Sequence, residues 1–99
     1  MRERVQKLLW SFGLTPNYLG FTYLADILEM AANGHFVCRN SFSLVAQARG
    51  KSRSSVYQAV VLALKRMDLP ADFPGPAQEI LYQQINFLAH QLNAASSVT

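Results

Sequence analysis

Apolar residues recur at the helical period along the whole chain, and no stretch alternates with period two for long enough to demand a sheet. Val5, Leu8, Leu9 and Phe12 stand at i, i+3, i+4 and i+7, which predicts a helix from about Arg2 to Phe12 with Gly13 as its left-handed stop. Thr15 followed by Pro16 reads as an N-cap with proline in the first turn, and Leu24, Ile27, Leu28 and Ala31 carry that second helix to about Ala32. Gly20 lies inside it, where glycine costs about 1 kcal/mol against alanine, so either a bend or a close helix contact is expected there.

After the connector "HFVCRN", Ser41 is positioned to cap a short helix reaching about Arg49, with Phe42, Val45 and Ala46 facing inward. Ser52 caps the next helix, in which Val56, Val60, Ala63 and Met67 share one face. "LPADFPGP" reads as an irregular link, possessing three of the four prolines and room for one short turn. A last helix, from Ala77 to about Asn93, presents Ile80, Leu81, Phe87, Leu88 and Leu92, ahead of a frayed tail at 94–99. The expected architecture is all-α: a single domain over residues 1–93, a compact bundle of about five to six helices.

Chain length and charge narrow the function classes. Ninety-nine residues suffice for one helical core, and 51% hydrophobic with 15% charged residues argues against a disordered chain. No apolar run approaches the roughly 20 residues of a membrane span, and the start "MRERVQKLLWSFG" offers no small-residue cleavage site. A single cysteine, Cys38, has no partner within the chain, which fits a reducing cytoplasm. The net charge of +3 is unevenly spread: no acid occurs between Glu29 and Asp68, while Arg39, Arg49, Lys51, Arg53, Lys65 and Arg66 all do. Such a one-signed segment is an electrostatic footprint for a polyanion or a solvated face.

Within that segment Ala46, Gly50 and Val56 stand at relative positions one, five and eleven. In a helix-turn-helix the small alanine lets two helices cross closely, the glycine adopts the positive φ of the turn, and the branched residue packs the second helix on the first. The front of that second helix would then enter the major groove. There Arg53, Ser54, Ser55 and Gln58 can reach base edges or phosphates, with Arg49, Lys51, Ser52 and Lys65 beside the backbone. For the serines the competing role is capping and turn chemistry, and for the cations solubility.

The run "LLWSFGLTPNYLGFTYLADILEMAANG" resembles the effector domain family of the response regulator that initiates sporulation in endospore-forming bacteria, through Gly13, Gly20, Tyr23, Leu24 and Ile27, with Pro16 offset by one residue. The resemblance continues in "SFSLVAQARGKSRSSVYQAVVLAL" through Phe42, Ala46, Ser54, Val56 and Ala59, and more loosely at Pro76, Glu79 and Ile80, so that it spans about Leu8 to Leu92. It implies a DNA-binding domain of about six helices and makes Gly20 an expected residue. Where the family has polar DNA-facing residues, this chain has Tyr57, Gln58, Val61 and Leu62, and Ser55 replaces an arginine. Ninety-nine residues leave no room for the family's receiver domain, so a stand-alone relative or a separated effector region is expected.

Two functions follow as expectations. The first is a sequence-specific DNA-binding transcription regulator, with the helix at about 53–67 in the groove. Double-stranded DNA is its partner, and dimerisation is compatible with it, because one helix-turn-helix reads few base pairs. The alternative is a helical protein-interaction module that keeps the fold and uses an apolar patch of Tyr57, Val61 and Leu62 to bind a partner or itself. Neither needs a cofactor, a metal, a membrane or a small-molecule substrate. His35, Cys38 and His90 are too scattered for a zinc site, and no nucleophile or phosphate-loop motif supports catalysis. Asp26 and Glu29 read as a solvated helix face, and Trp10 and Tyr23 as core residues.

Overall fold

The computed structural model describes residues 2–69, 73 and 75–98, and among them it contains five helices and no strand. They are α1 (Arg2–Ser11), α2 (Leu19–Ala32), α3 (Arg39–Arg49), α4 (Arg53–Arg66) and α5 (Ala77–Val98). The all-α class is as expected. Most of the Pro-rich link, with the short turn expected in it, lies outside the described residues.

The second helix is the hub. Gly20, Phe21, Tyr23, Leu24, Ala25, Ile27 and Leu28 are all buried, covering so much of its circumference that it must be surrounded, and all four other helices pack on it, α4 most extensively. Gly20 is the reason α4 lies so close. A Cβ there would stand 2.7 Å from the Ala63 Cβ and 2.9 Å from the Ala59 carbonyl carbon, so only glycine permits the crossing. Of the two expectations for Gly20, the close contact is the one realised.

Val5 and Leu9 from α1, Phe42, Val45 and Ala46 from α3, and Leu81, Ile85, Leu88 and Leu92 from α5 complete the core around it. Ile80 and Phe87 are only half-buried, whereas Ile85, absent from the expected stripe, is fully buried. Tyr23 is buried as expected, but Trp10 is 61% exposed. Trp10 follows Val5 by five residues, ~140° around the helix at about 100° per residue, and so points away from the Val5 and Leu9 stripe.

Three boundaries differ from expectation for local reasons. α2 begins at Leu19, because the Thr15 hydroxyl donates to Asn17 Oδ1 at 2.6 Å and the Tyr18 N–H to the Thr15 carbonyl at 3.2 Å, closing a turn first. α3 begins two residues before Ser41. That hydroxyl accepts the Cys38 N–H at 3.1 Å, reaching back from inside the helix. α5 runs on to Val98 where a frayed tail was expected; Ala94 and Ala95 favour helix, and no glycine or proline interrupts it.

The far end of α4 is anchored to the start of the chain. Met67 is buried, the Asp68 N–H donates to the Phe12 carbonyl at 2.8 Å, and the Arg66 guanidinium lies 4.9 Å above the centre of the Tyr18 ring.

Candidate nucleic-acid interface

Three residues, Gly50 to Ser52, join α3 to α4. Gly50 takes φ 65° and ψ 35°, the left-handed conformation that lets the chain reverse. The Lys51 N–H then reaches back to the Ala46 carbonyl at 2.9 Å, and the Gly50 N–H to that of Gln47 at 3.4 Å, satisfying the end of α3. Ser52 opens α4, its Oγ accepting the Ser55 N–H at 3.1 Å and donating to Ser55 Oγ at 2.9 Å. Gly50 and Ser52 thus take the roles expected of them. Ser52 and Ser55 spend part of their hydrogen-bonding capacity on each other.

Burial divides α4 by face. Val56, Val60, Ala63 and Met67 are buried as the spacing predicts, together with Ala59 and Leu64, which the expected face did not include. Lys51, Arg53, Ser54, Ser55, Gln58 and Lys65 are all exposed. Ser54, Gln58 and Lys65 form an outward row, with Lys51 and Arg53 at its leading end and no acid among them.

Arg49 does not join this row. Its Nε donates to Asp26 Oδ2 and its Nη2 to Oδ1, both at 2.9 Å, a two-pronged pair that commits the guanidinium to α2. Arg2 donates to the same carboxylate and forms an ion pair with Glu29 at 2.9 Å, a charge contact without hydrogen-bond alignment. Asp26 and Glu29 are therefore no solvated face: they clasp α1, α2 and α3 together. Burial alone would raise the Asp26 pKa, but the hydrogen bonds and charges of Arg49 and Arg2 outweigh it and hold the carboxyl below its ordinary range. The same bond raises the pKa of Arg49.

The expected apolar patch separates into its members. Tyr57 and Val61 are half-buried against the core, and Tyr57 meets the Phe42 ring edge-on with centroids 5.3 Å apart. Leu62 alone of the three is well exposed, at 59%. Beside Tyr57 the structure assembles a group that sequence reasoning missed. Arg39 at the start of α3, Arg53 and Ser54 at the start of α4, and Tyr82 on α5 surround a cavity whose floor is Phe42. Arg39 was visible only as one cation in an acid-free segment, and nothing in the sequence pointed to Tyr82. Burial first, then the neighbouring Tyr57 and Cys38, push the Tyr82 phenol up, against the opposing pull of Arg39 and Arg53.

Elsewhere among the described residues, no helix is long and apolar enough to cross a membrane, and no three His, Cys, Asp or Glu residues are grouped as a metal would require. Compared with known protein families, with curated proteins and with solved structures, the chain matches none.

Proposed function

We propose that the chain is a sequence-specific DNA-binding protein, a transcription regulator of the helix-turn-helix kind related to the sporulation effector domains it resembles, with α4 in the major groove. The observation that carries this reading is the acid-free outward row at the front of α4, presented just after a tight left-handed turn. A major groove about 12 Å wide admits one helix. Arg53, Ser54 and Gln58 contact base edges, and Lys51 and Lys65 contact phosphates. Arg49, held by Asp26, supports the helix pair and leaves the phosphate contacts to the two lysines. A cytoplasmic location goes with this reading.

Selection of bound sequences from random duplex DNA, followed by a salt titration of the enriched site, tests it. Affinity is expected to fall with salt at a log-log slope of about 0.9 per neutralised phosphate. Absence of any enriched motif, together with absence of salt-dependent binding at low ionic strength, refutes it.

The exposure of Leu62 favours a second reading, a surface that binds another protein or a second copy of the chain. Leu62→Gln separates the two. Loss of self-association by sedimentation with DNA affinity unchanged supports the interaction surface; altered DNA affinity with unchanged sedimentation supports the groove-facing role.

A further inference from the structure

The cavity above Phe42 has a lining that a groove-reading helix does not require. It encloses about 340 Å³ between Arg39, Phe42, Arg53, Ser54, Tyr57 and Tyr82, within the range of small-molecule pockets. No acid lines it. Neither Arg39 nor Arg53 has a carboxylate partner among the described residues, and the Ser54, Tyr57 and Tyr82 hydroxyls have no protein hydrogen-bond partner among them either. Two arginines and three hydroxyl-bearing residues able to donate therefore line one space. Tyr82, with its pKa raised, remains a protonated donor at neutral pH.

Such a lining selects an anion with many acceptor sites. A carboxylate offers two oxygens and one charge, whereas a phosphate monoester offers three terminal oxygens and close to two charges, the better match to two arginine forks. Phosphate alone would leave most of the volume empty. The remaining space lies against aromatic rings, for the Phe42 centroid is 5.3 Å from that of Tyr57 and 6.1 Å from that of Tyr82. Aromatic surfaces of this kind favour a stacked or edge-on ring.

We propose that this cavity binds a small aromatic phosphomonoester, its phosphate held by Arg39, Arg53 and the three hydroxyls and its ring lying against Tyr57 and Tyr82. The binding itself does not depend on the DNA-reading proposal, although Arg53 and Ser54 serve in both.

The test is titration of the isotope-labelled chain with phenyl phosphate, without DNA, followed by NMR. Saturable shifts are expected at Phe42, Ser54, Tyr57 and Tyr82. Arg39→Gln and Arg53→Gln should each weaken binding about tenfold or more, since each removes a charge-assisted hydrogen bond. Tyr82→Phe should weaken it several-fold with an unchanged circular dichroism spectrum; because it deletes one hydroxyl only, it decides the matter if either arginine variant misfolds. Inorganic phosphate and phenol should each bind at least tenfold more weakly than phenyl phosphate. The proposal is overturned if no saturable shift appears, if either half-ligand binds as tightly as the whole, or if the three variants bind like the wild type. Tighter binding of the phosphodiester dinucleotide TpT also overturns it, and assigns the cavity to the DNA backbone.

Discussion

Gly20→Ala sets two effects of known sign against each other. Alanine in a helix interior is better than glycine by about 1 kcal/mol, so on propensity alone the variant is the more stable protein. The added methyl, however, stands 2.7 Å from the Ala63 Cβ and collides with the carbonyl group of Ala59. Neither obstacle is the loose end of a side chain. The helices must part by roughly 0.7 Å for the two methyls to reach ordinary contact and by more to clear the Ala59 carbonyl oxygen, the nearest atom, and a gap of about 0.5–1 Å already forfeits a quarter to a half of the dispersion well for the atoms it separates. Because α2 and α4 share the most extensive interface in the fold, the cost belongs near the top of the overpacking range, about 3 kcal/mol. The net expectation is a loss of about 2 kcal/mol, or roughly 8–16 °C in melting temperature for a domain of this size. Urea and thermal unfolding followed by circular dichroism measure it. Gly34→Ala serves as the control, since φ there is +90° but nothing lies within 4 Å, and it should cost about 1 kcal/mol from backbone strain alone. Adding Ala63→Gly to the first variant should recover only part of the loss, because the Ala59 carbonyl remains. A Gly20→Ala protein as stable as the wild type would show that the helices do not cross this closely.

Asp26→Asn should cost about 1–2 kcal/mol near neutral pH by loosening the clasp among α1, α2 and α3. The folded carboxyl has a lowered pKa, so its contribution is full above the unfolded value of about 3.9 and is lost as pH falls through the lower folded value; the stability gap between wild type and variant should close over that acidic interval in urea titrations. Ser52→Ala removes the cap of α4 and should cost about 1 kcal/mol in the same assay, with an increase in amide exchange at Ser55. Lys51→Gln should leave stability within about 0.5 kcal/mol, weaken duplex binding by a similar factor for all sequences, and lower the salt slope by about 1.

What the sequence made legible was local. The α1 stripe, the Gly50 turn, the Ser52 cap and the buried face of α4 each follow from residues within one or two helical turns of each other. The start of α2 is not legible, because Thr15 and Pro16 suit a helix entry and a preceding turn equally well. The hydrogen bonds from the Thr15 hydroxyl to Asn17 and from the Tyr18 N–H to the Thr15 carbonyl distinguish them. Asp26 meets Arg2 and Arg49 across 24 and 23 residues of chain, a distance over which charge spacing carries no pairing information. The cavity depends on how α5 is rotated against α3 and α4. Both Ile80 and Ile85 fit an apolar stripe; the burial of Ile85 selects the rotation that turns Tyr82 toward Phe42.

The anchoring of α4 at Met67, Asp68 and Arg66 has a thermodynamic consequence. A helix held by its buried face along its length and tied at its far end to Phe12 and Tyr18 is already formed before it meets any target. In the proposed complex with DNA, docking would immobilise only long surface side chains such as Lys51, Arg53 and Gln58, at about 0.5–1.5 kcal/mol each, and would fold no backbone. In calorimetry, such an association lacks the large negative heat-capacity change of coupled folding.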